Sequence, residues 1–400
     1  MVEITRFKDI KHKKRVKCVV CEEGIDTPTL LLPNFPITGV YIDKKPEEKI
    51  GFLNQEFFLC KNCGHGQILN VIDPEILYGE SYSFKTSESN TARIANDNFI
   101  SFINNQIGYQ ELDIIIEIGC SDLYLLHSLK NKSKRLIGID PILKEKGGEY
   151  KIGKIKIIGD FLENIDLKEY SKLEKTAVIC SHTLEHLENP KSILKKLLNE
   201  LGDKTLFFFH FPSLDGLLKN KRFDQIFHQH LNYFSRHSFE YLLDSLDEEL
   251  TSLKHNSNYW GSLFVSFRKK MTCGKQKSYF EKISPEEFLK EYNLFRKRMG
   301  EINNHIESNR IIWGYGAGLM VPSIAYNLGT NLEKWKGILD DNPSKENRFY
   351  INLPVQIKNS EHADLKESSV VITAVDNSRR ILQKLIGYNP EEIILLNGFL

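Results

Sequence analysis

Five short apolar runs between residues 113 and 209 limit this chain more than any other feature. They are DIIIEI (113–118), RLIGI (135–139), KII (156–158), TAVIC (176–180) and TLFFF (205–209). None alternates like a half-solvated strand, so each reads as a strand covered on both faces, with helix-like sequence between the runs. That pattern specifies an α/β fold on a parallel sheet. The first three runs close on acidic turns: G-C-S-D (119–122), Asp140, and Gly159-Asp160-Phe161. The fourth runs into S-H-T-L-E-H-L (181–187) and the fifth into His210. Any one of these acids could be an ordinary solvated loop residue. Their succession at strand ends is what points to a site, because open α/β sheets bind ligands there.

The turn after the first strand is not G-x-G-x-x-G, and no P-loop lysine follows, so neither pyrophosphate nor triphosphate suits it. A single Gly119 beside acids suits a ligand with an ammonium group and no phosphate, such as S-adenosylmethionine. Asp140, about 20 residues after that turn, can accept both ribose hydroxyls. Asp160 can accept an adenine amino group, with Phe161 near the ring. The expected cofactor contacts are therefore Glu117, Gly119, Cys120, Asp122, Asp140, Asp160, Phe161 and His182. For His182 a hydrogen-bonded structural role is the alternative.

Two C-x-x-C pairs precede this region, Cys18/Cys21 and Cys60/Cys63. Each can aim two thiolates at one point, and together they make a tetrahedral shell for structural Zn²⁺ with no open position for catalysis. Reduced thiols or a redox dithiol are the alternatives. Gly64 follows Cys63, where such a turn commonly needs a positive φ. Cys120, Cys180 and Cys273 read as buried or incidental.

Three segments follow: 1–84 with the cysteine pairs, 85–275 with the strands above, and 276–400. The last opens on Ser284-Pro285-Glu286-Glu287, a helix start. Leu289, Tyr292, Phe295, Met299, Ile302 and Ile306 then form one apolar stripe. From about residue 310 a smaller α/β unit begins, with a glycine turn at 314–318 and the acids Asp340 and Asp341 after its second strand. The turn could bring backbone N–H groups to a diphosphate; a domain that merely packs is the alternative. The formal net charge of +1 gives no basic surface for nucleic acid. No apolar run reaches the roughly 18 residues of a membrane span, and the Lys-rich start lacks the apolar core of a secretory signal. A cytoplasmic protein, monomeric or a small homo-oligomer, is expected.

The succession E-I-G-C-S-D, G-I-D-P, G-D-F and S-H-T-L-E-H-L-E-N-P resembles a class I S-adenosylmethionine-dependent methyltransferase. With the cysteine pairs in front and W-G-Y-G-A-G (313–318) behind, the chain resembles the three-domain sugar C-methyltransferases, which act on nucleotide-linked keto-deoxysugars. F-H-Q-H-L-N-Y-F-S (227–235) resembles that family's Y-H-E-H-L-x-Y-F-S. W-G-S-L (260–263) resembles its G-G-S-L/M stretch, and D-D-N-P (340–343) with L-P-V (353–355) its C-terminal segment. The likeness spans nearly the whole chain, and the order of motifs is more specific than any one of them. It implies a zinc-binding N-terminal domain, a class I methyltransferase sheet and a C-terminal Rossmann-like domain that seats the nucleotide sugar.

In that family the Tyr, Glu and His of Y-H-E-H handle protons and position substrate. Here Phe227 and Gln229 replace the first two, and Leu123 stands where the glycine loop usually has another Gly. Carbon methylation beside a ketone needs a base and something to stabilise the enolate oxygen. The resemblance then implies His230 as base, Gln229 positioning substrate through its amide, and His228, Asn232 or Tyr233 replacing the missing donor. Implied substrate contacts are Tyr78, Tyr82, His210, Asn232, Tyr233, Tyr315, Gly316, Asp341, Asn342 and Arg348. Methylating a hydroxyl needs only one base, so an O-methyltransferase is the second expectation, and a binding protein that has lost its chemistry the third.

Overall fold

A computed structural model describes residues 4–77, 87, 89–146, 149–256, 259–270 and 280–396. Near the start, β1 (Leu30–Pro36), β2 (Phe52–Leu59) and β3 (Gly66–Ile68) form an antiparallel sheet. Its fourth strand, Asn232–Tyr233, comes from the middle of the chain and pairs with β3. The C-x-x-C turns share one construction. Cys18 O accepts the Glu22 N–H at 2.9 Å, and Cys60 O accepts the Gly64 N–H at 2.9 Å. The last residue of each turn is left-handed, Glu22 at φ 65° and Gly64 at φ 68°.

Helix α1 (Asn90–Ile107), capped by Ser89, leads into an eight-stranded sheet. Its strands are β4 (Leu112–Ile118), β5 (Ser133–Ile139), β6 (Glu149–Ile152), β7 (Ile155–Ile158), β8 (Thr176–Ser181), β9 (Leu206–Pro212), β10 (Glu248–Asn256) and β11 (Ser262–Lys269). The spatial order is β10-β11-β9-β8-β4-β5-β7-β6. Strands β4, β5, β7, β8 and β9 are parallel, while β11 enters antiparallel beside β9. From β4 the chain winds one way through β5 and β7, then the other through β8 and β9. The switch point thus falls between β4 and β8, where this class of sheet opens a ligand crevice. Ile114, Ile115 and Ile116 are all fully buried, as expected of a strand covered on both faces. This is the class I methyltransferase arrangement of an α/β sheet.

Helix α2 (Pro190–Glu200) links β8 to β9. Helix α3 (Pro285–Glu307) is capped by Ser284, which accepts the Glu287 N–H at 3.1 Å. Its buried stripe starts at Phe288, stacked on Phe57 at 4.6 Å between centroids, rather than at Leu289. Then β12 (Ile312–Tyr315), α4 (Val321–Leu328), β13 (Gly337–Asp340), β14 (Ile357–Asn359), β15 (Ser369–Ile372) and β16 (Glu392–Leu395) build an all-parallel sheet in the order β14-β13-β12-β15-β16. Its switch point lies between β12 and β15.

The three segments share structure. Phe349–Tyr350 pairs antiparallel with Tyr41–Ile42, and one apolar cluster runs through β1, β2, α3 and α4. Arg222, from the middle segment, holds Asp224 at 2.9 Å and Asp376, just past β15, at 3.0 Å. Among the described residues no helix is long and apolar enough to cross a membrane.

Candidate functional site

The loop after β4 is bent by left-handed residues at Gly119 (φ 73°), Ser121 (φ 43°) and Leu123 (φ 65°). Leu123 accepts this strained conformation because its side chain is buried, 5 % exposed, in the apolar cluster on that face of the sheet. Gly119 has a tighter reason: a Cβ there would lie 2.0 Å from Thr183 Oγ1. At the end of β5, Asp140 accepts the Ser121 N–H at 2.8 Å and the Ile142 N–H at 3.0 Å, tying the first two strand-end loops together. Glu117 is 3 % exposed, and its Oε2 meets no donor among the described residues. Burial, with Asp140 and Asp122 nearby, holds its carboxyl well above the usual range. A buried acid with an orphaned oxygen at the switch point fits a ligand bringing its own ammonium or hydroxyl donors.

Asp160 and Phe161 stand at the end of β7. Asp160 accepts the Asn164 amide at 2.9 Å, and the Phe161 ring is 46 % exposed, an apolar plate open to a ligand. Asp122 instead accepts the Ser87 N–H at 2.7 Å. Cys120 is buried, as one reading of it expected: its thiol turns into the core, against the spot where Gly138 leaves room for it, and its backbone stays in the loop.

Beyond β8 the chain brings three histidines around one carboxylate, with a fourth behind them. His182, itself left-handed at φ 48°, meets Glu185 Oε1 through Nδ1 at 3.0 Å and His210 through Nε2 at 3.1 Å. His210 also bonds Ser181 Oγ at 3.0 Å and Ser262 Oγ at 2.9 Å, and Ser181 donates to Asn96 of α1 at 3.0 Å. His210 was expected to face substrate. It is fully buried between Phe99 and Phe264 and acts as the inner partner of His182. A Glu185 oxygen and one nitrogen each of His186 and His230 all lie within 4.8 Å of one another. The His230 ring is walled by Phe227 (4.3 Å), His186 (5.0 Å) and Trp260 (5.5 Å). Burial holds both His186 and His230 below the ordinary histidine range, His230 far below it, so both are neutral near pH 7.

The other members of the 227–235 motif have structural work. His228 points away from His230, bonded to Gln55 at 2.7 Å and the Phe35 carbonyl at 3.4 Å. Tyr233 OH donates to the Gln225 carbonyl at 3.1 Å and accepts the Phe227 N–H at 3.1 Å. Asn232 Nδ2 donates to the Leu187 carbonyl at 2.6 Å. Among the described residues, each of these three makes hydrogen bonds that hold the loop in place. Gln229 puts its Nε2 against Gly39 of the N-terminal segment. Tyr78 and Tyr82 lie outside the described residues.

A family profile described as "Methyltransferase domain" matches residues 63–253. The chain is similar to this profile over just under half of its length. It is 24% identical over 208 residues to the C-methyltransferase NovU of Streptomyces niveus, a match covering 52% of this chain and 49% of that protein. The chain thus spans about half the length of this curated relative. Among solved structures, a 1,6-didemethyltoxoflavin-N1-methyltransferase of Burkholderia thailandensis is similar at 12% identity and a TM-score of 0.34, over 44% of this chain and 78% of that one. The magnesium protoporphyrin IX methyltransferase of Synechocystis PCC 6803 is similar at 13% identity and a TM-score of 0.35, over 48% and 91%.

Two groups flank the methyltransferase domain. The four paired cysteines place all their sulfurs within 4.8 Å of one another, with Cys18–Cys63 at 3.6 Å and Cys21–Cys60 at 3.5 Å. A tetrahedral shell with Zn–S bonds of about 2.3 Å needs sulfurs about 3.8 Å apart, so the set is the right size for zinc. On the other flank, the amides of the expected diphosphate turn are paired within the chain. Gly316 N–H is paired with the Leu339 carbonyl at 2.7 Å, Ala317 N–H with Asp340 at 2.8 Å and Gly318 N–H with the Gly316 carbonyl at 2.9 Å. Those amides are already used, and Gly316 is small because a Cβ would meet Ala374 at 2.2 Å. Asp341 accepts through Oδ1 from Tyr315 (2.7 Å), Ser360 (2.6 Å) and Lys384 (2.7 Å). Asn342 caps its own turn by accepting the Ser344 N–H, and Arg348 reaches back to the Tyr41 carbonyl at 2.9 Å.

The residues sequence reasoning missed are Glu185, His186 and Trp260. The motif S-H-T-L-E-H-L had displayed the first two, but only the fold sets them beside His230.

Proposed function

We propose that the protein is an S-adenosylmethionine-dependent C-methyltransferase of a nucleotide-linked keto sugar, with His230 as the base. S-adenosylmethionine would supply an activated methyl group. Glu117 and Asp140 would hold its ammonium and ribose hydroxyls, and Asp160 and Phe161 its adenine. The observation that carries the reading is His230 itself: a neutral imidazole in an aromatic wall, on the loop stitched to the end of β8. A neutral imidazole can take the proton beside a substrate ketone, and the buried setting excludes water from the carbanion. The named activity of the NovU relative supports carbon as acceptor. Cys18, Cys21, Cys60 and Cys63 would hold a structural zinc. Segments 1–84 and 276–400 would close over the sugar nucleotide, with Lys345 and Arg348 beside the Tyr41 ring as its cationic wall.

One observation favours transfer to oxygen instead. Phe227 has no hydroxyl, and the hydroxyl of nearby Tyr233 is already engaged, so no tyrosine of this loop is free to steady an enolate. Incubation with the methyl donor and a panel of keto-sugar nucleotides should give a product heavier by one methyl group. Loss of the acceptor-carbon hydrogen to deuterated solvent marks carbon transfer; its retention marks oxygen transfer. His230→Ala should bind the donor and fail to turn over, and near-normal turnover would remove the base assignment.

A further inference from the structure

We propose that Glu185 is the counter-ion that lets His230 carry a proton, a positioning residue for the base; this rests on the reading of His230 above. In the proton-transfer step the substrate C–H bond breaks, its electron pair stays on the substrate, and the proton moves to a His230 nitrogen. That creates an imidazolium with almost no water around it, since His230 is 5 % exposed. A charge made there needs an opposite charge within a few ångströms, or the base is too weak to act.

Glu185 is placed to supply it. Its residue is 1 % exposed, and its carboxylate lies within 4.8 Å of nitrogens on His186 and His230. One oxygen is engaged by His182, while Oε2 has no hydrogen-bond donor among the described residues. Three bonds fix the approach. The Glu185 carbonyl accepts the Leu231 N–H at 2.8 Å, the residue after the base. His186 Nδ1 bonds the Gln229 carbonyl at 2.8 Å, the residue before it. Asn232 clamps the Leu187 carbonyl. The turn carrying the carboxylate and the loop carrying the base are thus one stitched unit. The titratable groups facing it are His182, His186 and His230, with His210 behind His182, and Cys180 and Tyr233 within electrostatic reach. Arg15, a cation of the N-terminal segment, is turned to the Leu231 and Glu188 carbonyls. His186 and His182 push a proton off His230; Glu185 is the acidic member of the cluster around it.

Glu185→Gln keeps the shape and a hydrogen-bond acceptor for His182 but removes the charge. Expected is a loss of about 100-fold in kcat with donor affinity unchanged. The acidic limb of the kcat/KM profile should move down by about one pH unit, because an uncompensated imidazole loses its proton more readily. Glu185→Asp, charged but one methylene shorter, should lose about tenfold with the limb moved the same way; it decides the matter if the glutamine variant does not fold. Wild-type kcat and an unmoved limb in either folded variant, with His230→Ala inactive, would overturn this inference and leave the base in place. Near-normal turnover of His230→Ala would instead overturn the reading beneath it. A second tightly held divalent metal per chain, lost in Glu185→Gln, would overturn the inference by making the cluster a metal centre.

Discussion

Gly119→Ala tests the loop after β4 most sharply. Its φ of 73° costs a residue with a Cβ about 1–2 kcal/mol. The new methyl would also stand 2.0 Å from Thr183 Oγ1, 2.8 Å from Cγ2 and 2.9 Å from Cβ. Reaching ordinary contact needs a shift of roughly 1.4 Å. Thr183 is β-branched and stiff, so the turn must move rather than the rotamer. Overpacking of this kind costs about 1–3 kcal/mol, giving about 2–5 kcal/mol in all. Because Thr183 sits between His182 and Leu184, the shift reaches the histidine cluster as well. The assay is a double-mutant cycle by urea unfolding on wild type, Gly119→Ala, Thr183→Gly and the pair, with donor titration calorimetry alongside. Removing all three Thr183 atoms should return the packing part and leave the φ part, a coupling of about 1–3 kcal/mol. Coupling below about 0.5 kcal/mol, the ordinary error of additivity, would refute the claim that these two loops are in contact.

Three further outcomes follow from buried groups. Arg222→Ala should lose about 3–5 kcal/mol in urea melts, since it strands Asp224 and Asp376, a buried and a part-buried acid, at once. His228, buried, is held down to about 4. It stays neutral when folded but takes a proton near pH 6.5 when unfolded. Its stabilisation is complete above about 6.5 and is lost as pH falls toward 4, a change of about 3 kcal/mol; His228→Gln should flatten that part of the stability–pH curve. Atomic emission should find one zinc per chain, absent from Cys60→Ser. Chelation should lower the melting temperature of the whole protein, because Cys18, Cys60 and Cys63 share an apolar cluster with Val178 and Phe207 of the central sheet.

The central sheet was legible because its strands are buried on both faces, and such strands announce themselves as unbroken apolar runs. The acids at their ends were legible for the same reason: each follows directly where a run stops. The cysteine pairs needed only spacing. Contacts made through space rather than along the chain stayed hidden. No local pattern shows that Asn232–Tyr233 completes a sheet begun at residue 30, or that Asp376 answers Arg222. The glycine turn at 314–318 has two readings for a physical reason. A Gly-rich turn after a parallel strand can bare its amides to a ligand or can be small so that a neighbour fits, and the closeness of Ala374 to Gly316 could not be read along the chain.

That distinction bears on the two substitutions in the 227–235 loop. If every polar residue of the motif touched substrate, Phe227 and Gln229 would argue for lost chemistry. The geometry assigns most of the motif to scaffolding: His228 to Gln55, Asn232 to the Leu187 carbonyl, and Tyr233 to the backbone of its own loop. What these clamps hold still is His230, beside Glu185 from a different loop. A base needs a nearby charge of opposite sign, and it does not matter which strand end delivers it. On the proposed reading of His230 as base, a carboxylate absent at 229 is no sign of inactivity while one at 185 lies within 4.8 Å of the same imidazole. Restoring the acid by Gln229→Glu should then give little gain in kcat in the wild type and a clear gain in Glu185→Gln, measured as methyl transfer to the same sugar nucleotide. Equal gain in both backgrounds would mean the two positions do different jobs.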